Sequence, residues 1–127
     1  MLPYNHIICN AWSLRKKYIN HDSTNVYRLV NSYGDALPDV PIDVYNKNIL
    51  VQYFKSYDKH IKEGIYHSLK ETLLPETITE KIRLKGNDIQ THLVSGTDIP
   101  KDFVVLENGI KFDTSFCEGG GTGLFLY

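Results

Sequence analysis

Four of the nine glycines fall within five residues, Gly119-Gly120-Gly121-Thr122-Gly123, between aromatic flanks that carry Phe112 and Phe116 on one side and Phe125 and Tyr127 on the other. Without a Cβ, such a strip lets another backbone, a phosphate or a nucleotide come close. A P-loop would follow its glycines with a lysine and a helix. Here Leu124-Phe125-Leu126-Tyr127 follows, so the competing reading is a tight connection into a final strand. Cations offer a second kind of chemistry. Arg15-Lys16-Lys17 stand beside Trp12 and Tyr18, and Lys81, Arg83 and Lys85 alternate. Both groups read either as local contacts for a polyanion or as solvated faces that aid solubility.

Histidines and cysteines supply the remaining candidates. On one helix, His60, Glu63 and His67 would share a face and could present two imidazoles and a carboxylate to a metal or a proton. The plainer reading is a solvated face opposite an apolar stripe. His6 and Cys9, two residues apart, could join Cys117 and His92 around zinc, but a strong zinc signature needs a second close pair. No metal site, cofactor or catalytic constellation is therefore expected.

The elements that must position these groups come from periodicity. Tyr4–Cys9 is a short apolar run, and Trp12–Ile19 reads as a strand or short helix. Val26, Leu29, Val30 and Tyr33 have helical spacing before Gly34. Two prolines in 35–41 make an extended connector. In Val44–Leu74 the residues Leu50, Phe54, Tyr57, Ile61, Ile65 and Leu69 recur at steps of three and four, the stripe of one long amphipathic helix with a bend, or a break into two helices, at Gly64. After Pro75, where Thr77 or Thr79 would cap, the period becomes two. Ile82 and Leu84 alternate, Gly86-Asn87-Asp88 turns, and Ile89–Val94 returns. Phe103–Leu106 and Ile110–Phe112 flank a second turn at 107–109. The expectation is an α+β fold in which a small antiparallel sheet in the C-terminal half packs on one long helix. A single domain spans 1–127, with 107–127 as its functional segment.

Composition bounds the function. The chain has 127 residues, 42% hydrophobic and 23% charged, with a formal charge of −1, which suits one folded core. No global field drives it onto DNA or anionic lipid. Two cysteines are too few for a disulfide framework, no run approaches about 18 apolar residues, and Met1–Asn10 lacks a signal-peptide pattern, so a cytoplasmic monomer away from membranes is expected.

Gly109, Asp113, Phe116, Cys117, Gly119, Gly120, Leu124 and Phe125 together resemble a motif of the microsporidian dormancy factor group, with Gly121-Thr122-Gly123 as an insertion. The resemblance covers about twenty residues, close to a sixth of the chain. It implies a non-enzymatic hibernation factor that docks in the exit-tRNA site of an idle ribosome. The glycines Gly119, Gly120, Gly121 and Gly123 would enter the narrow pocket, and Phe112, Phe116, Phe125 and Tyr127 would stack on bases. Arg15, Lys16, Lys17, Lys81, Arg83 and Lys85 would touch rRNA phosphates, while the near-neutral remainder meets ribosomal proteins. Two other readings stay open. The Gly123–Tyr127 strand loosely resembles one of ADP-ribosyltransferase-like enzymes, which would require His6 or Arg15 with Glu118. A small viral or plasmid-encoded inhibitor would instead bind one protein partner.

Overall fold

Between residues 42 and 53 a helical and a strand period compete, and the strand wins. Ile42 and Val44, then Ile49, Val51 and Tyr53, point to one core, and Asn46, in the left-handed region at φ 58°, turns the chain between the two runs. β-branched residues favour this pleated arrangement, and asparagine tolerates the turn conformation. The computed structural model describes residues 4–18, 24–30, 39–101 and 103–116. Along them run α1 (Tyr4–Tyr18), β1 (Val26–Val30), β2 (Ile42–Tyr45), β3 (Asn48–Tyr53), α2 (Lys59–Leu73), β4 (Thr77–Ile82), β5 (Gln90–Ser95), β6 (Phe103–Glu107) and β7 (Ile110–Thr114).

The fold is mixed α/β, but the single long helix of 44–74 is replaced by a hairpin followed by α2. The Asp58 side chain decides where α2 begins, accepting from Ile61 N at 2.9 Å as the N-cap. Gly64 is buried within α2, which continues through it. At the other end Leu74 adopts the left-handed conformation and Pro75 follows. The short helix expected from Val26 is a strand instead. Val26, Tyr27, Leu29 and Val30 are all buried, and a strand covered on both faces shows no clean alternation. Thr77 and Thr79 lie within β4 rather than capping a helix.

Five strands form one sheet in the order β1-β2-β3-β4-β5, so the sheet starts well before the C-terminal half. Its pairs are antiparallel except β3 and β4, which run parallel and are joined by α2. The hairpins expected at 82–94 and 103–112 are present as β4/β5 and the separate two-stranded β6/β7, the latter turning at Asn108-Gly109 with both φ positive. Gly96, at φ +111°, has no room for a side chain, since a Cβ would come within 2.7 Å of Thr77 Cγ2 and 2.8 Å of the Glu76 carbonyl.

Alternation along the strands divides the interior. One face of the sheet buries Val44, Ile49, Val51 and Ile78 against Ile8 and Ala11 of α1 and Ile65 and Leu69 of α2. The other buries Val26, Tyr45 and Leu50 against Val105 and Phe116. No described helix is long and apolar enough to cross a membrane.

Candidate nucleic-acid interface

The parallel pair β3/β4 leaves two carboxyl ends side by side, and α2 starts at the same edge. Arg83 N donates to the Tyr53 carbonyl at 2.8 Å, which carries the pairing one residue past the strands. Phe54 N is held by the Asp39 carbonyl at 2.9 Å. Phe54 and Arg83 therefore leave the sheet together, and the guanidinium sits 5.4 Å from the Phe54 ring centroid while Nη1 donates to Gln52 Oε1 at 2.8 Å. Phe54 remains 46% exposed, so its ring is open to a ligand. Lys55 lies 5.3 Å from the Tyr57 centroid and Lys62 4.8 Å from that of Tyr53. Lys59 is exposed in the first turn of α2, where the backbone N–H groups also favour anions. The edge thus combines flat apolar surface with cations held over rings, the chemistry that takes single-stranded nucleic acid.

Beneath it lies a polar chain. Tyr53 OH donates to Tyr66 OH at 2.8 Å, Tyr66 OH donates to Glu80 Oε1 at 2.5 Å, and His92 Nδ1 stands 2.9 Å from Glu80 Oε2. Lys62 Nζ is 3.7 Å from the same oxygen. Burial pushes both phenols well above their ordinary value. Burial also raises Glu80, yet Tyr66, His92 and Lys62 together outweigh it and hold the carboxyl below its ordinary 4.5. A carboxylate whose value is lowered by folding stabilises the fold above the unfolded value and loses that contribution as pH falls through the folded one. Urea midpoints are therefore expected to fall on acidification from about pH 5 toward about pH 3, and Glu80→Gln is expected to flatten that slope. An unchanged slope in the variant would assign the acid sensitivity elsewhere.

The structure separates the sequence-nominated residues. Arg83 stands at this edge with Lys85 exposed just beyond, whereas Lys81, expected alongside them, is fully buried within β4 and has partners there. Strand alternation sends Lys81 and Arg83 to the same face, but only Arg83 lies past the covered part of the sheet. In the last turn of α1, Lys16 and Lys17 are exposed, while Arg15 Nε donates to the Arg28 carbonyl at 3.0 Å. Phe112 is half-buried and Phe116 fully buried in the second core. Gly119, Gly120, Gly121, Gly123, Phe125 and Tyr127, with Cys117 and Glu118, lie outside the described residues, as does all of segment 107–127 beyond Phe116. On α2, His67 Nε2 is 3.0 Å from Glu71 and Glu63 3.9 Å from Lys59. Cys9 Sγ contacts Thr72 Oγ1 at 3.4 Å, and His92 serves Glu80. Phe54 and Tyr57 fall in the helical stripe that the periodicity predicts, but both precede α2. Asp58, three residues before Ile61 and directly ahead of a run of helix formers, was the legible capping signal that would have freed them.

No protein-family profile matches the chain. It is 34% identical over 125 residues to the ribosomal RNA large subunit methyltransferase I of Pseudoalteromonas atlantica and 31% identical over 122 residues to that of Vibrio parahaemolyticus, covering 94% and 92% of this chain but 31% of each relative. A SAM-dependent methyltransferase of Streptococcus mutans superposes with a TM-score of 0.83 at 28% identity over 97% of this chain and 32% of that one. A methyltransferase structure in complex with SAH gives 0.83, 28%, 96% and 31%. The chain spans about a third of the length of the proteins it matches.

These relatives overturn the dormancy-factor resemblance and the non-enzymatic hibernation reading that rested on it, and they support neither alternative. The similarity to methyltransferases runs through nearly the whole chain, whereas the glycine-aromatic motif occupied about twenty residues of a type that recurs in unrelated loops.

Proposed function

We propose that the chain serves in methylation of large-subunit ribosomal RNA with SAM as methyl donor, and that its described residues grip the RNA. The observation that carries this reading is the similarity to rRNA large subunit methyltransferase I over more than nine-tenths of the chain. The aromatic-cationic edge at Phe54 and Arg83 supports it with a surface of the right chemistry. There an unpaired base stacks on Phe54 in line with the guanidinium, while Lys55 and Lys59 meet phosphates. Lys16, Lys17 and Lys85, all exposed, add sequence-independent phosphate contacts.

The residues of this edge do not fit the methyl donor itself. The loop between β3 and α2, Phe54-Lys55-Ser56-Tyr57-Asp58, has no glycine to admit a nucleoside, and its carboxylate caps the helix. Lys55, Lys59, Lys62 and Arg83 would repel a sulfonium cation. RNA contact, not methyl transfer, is what these side chains are suited to do.

The test is fluorescence anisotropy of the chain with a labelled single-stranded oligoribonucleotide. Phe54→Ala and Arg83→Ala are each expected to weaken binding about tenfold. Lys85→Ala should act uniformly across sequences and lower the slope of log K against log salt by roughly 0.7. No binding at low salt, or binding indifferent to both substitutions at the edge, would sink the RNA role.

A further inference from the structure

At the opposite end of the sheet from Phe54, where β1 begins and α2 ends, a cleft of about 300 Å³ opens. Its wall carries Trp12 of α1 and Tyr27 of β1, with ring centroids 6.0 Å apart and planes within 23° of parallel. Val44 and Ile49 form an apolar floor, and Pro75 closes the far side. The rim is polar and built to stay in place. Asn25 is tied to Leu106 through its backbone N–H (2.8 Å), and its Oδ1 accepts from Leu106 N at 2.7 Å. With that oxygen committed, the Asn25 side chain has only its NH2 group to offer a ligand. Asn46 N donates to the Asn25 carbonyl, and Glu76 N to the Lys47 carbonyl at 2.8 Å, which clamps the β2–β3 turn against both neighbours. Lys47 itself is exposed, and no carboxylate among the described residues neutralises it.

We propose that this cleft is a binding site for one nucleotide. The base lies flat along the Trp12 face above the aliphatic floor, one of its acceptor atoms takes the Asn25 NH2 group, and its phosphate meets the Lys47 ammonium at the rim. The volume stands at the lower bound of organic-ligand sites, which suits one nucleotide rather than two. An apolar slot with a few fixed polar groups matches a planar heterocycle, and a lone cation at its mouth matches an anionic arm. A free nucleotide and a nucleotide within an RNA strand share this chemistry. The site does not depend on the RNA edge at Phe54.

Trp12 is the only tryptophan of the chain, so its fluorescence reports directly on the cleft. Titration of the full chain with AMP and UMP is expected to give saturable quenching. Adenosine, lacking the phosphate, and ribose 5-phosphate, lacking the base, should each bind about tenfold more weakly or not at all. Lys47→Ala, at an exposed turn position that the fold does not need, should bring AMP down to the affinity of adenosine. Phe54→Ala should leave mononucleotide quenching unchanged, which keeps this proposal separable from the RNA edge. A short oligoribonucleotide that quenches at least tenfold more tightly than AMP, with Phe54→Ala present, identifies the strand as the source, and equal or weaker quenching identifies the free nucleotide. Absence of saturable quenching by any of these ligands, or equal AMP affinity in wild type and Lys47→Ala, overturns the proposal.

Discussion

Replacing Asp43 by alanine is expected to lower stability by about 3 kcal/mol, seen as a melting temperature lower by roughly 10 °C. Asp43 is buried in β2 opposite Arg28 of β1, whose Nε and Nη2 reach its two carboxylate oxygens at 2.7 and 3.2 Å. Burial pushes the Asp43 carboxyl above its ordinary value, and the Arg28 fork pulls against that shift. In the same pair, the hydrogen bond to Asp43 raises the guanidinium further. Desolvation outweighs pairing at Asp43 while pairing outweighs desolvation at Arg28, so the intact pair is weak ground for net stability. Removing one member is different, because the half-buried guanidinium is left without its partner. Its partial exposure to water keeps the effect below that of a fully enclosed charge. Urea unfolding with an unchanged m-value would confirm that the native state, not the denatured ensemble, bears the change. A loss under 1 kcal/mol would mean that Arg28 finds water or another acceptor when Asp43 is gone.

Phe116→Ala should cost about 3–5 kcal/mol, the largest single effect expected in the described part of the chain. The ring meets Tyr45 edge-on with centroids 4.9 Å apart and Phe103 at 5.2 Å, while the Phe116 N–H donates to the Pro100 carbonyl at 2.9 Å. Together with Val105 they form the layer that joins β6/β7 to the five-stranded sheet. Deleting the ring leaves a cavity at that junction. Phe54→Ala makes the informative contrast. Phe54 is nearly half exposed, so its loss should change stability by less than about 1 kcal/mol while weakening RNA binding. If instead Phe116→Ala weakened RNA binding without touching the unfolding midpoint, the assignment of these two rings would be reversed.

Those two phenylalanines also show where residue type stops being informative. The sequence marks Phe116, between Ser115 and Cys117, for stacking, while its periodicity places Phe54 in a helical stripe. Past the end of β7, Phe116 is held inward by its N–H bond to the Pro100 carbonyl and by the Tyr45 and Phe103 rings, whereas the end of β3 carries Phe54 out, a distinction that depends on which element covers which. Lys81 and Arg83 divide in the same way. They share one face of β4, yet the first is enclosed and the second lies past the strand end beside Phe54.

Local chemistry did determine several elements. Asn108-Gly109 between alternating runs specified the β6/β7 turn, and Gly86 with its neighbours turned β4 toward β5, because positive φ is cheap only for such residues. Pro75 ended α2. The region 42–57 was not decided locally, since residues such as Leu50 and Phe54 satisfy a spacing of four as well as one of two. Only pairing of β2 with β3, and of β3 with β4 across α2, selects the pleat, because backbone groups of a strand are satisfied by partners distant in the chain. The same long-range pairing brings Phe54 to Arg83, and Trp12 to Tyr27 and Lys47. Those sites were invisible in the order of residues because no short stretch contains them, whereas turns and caps are complete within a few.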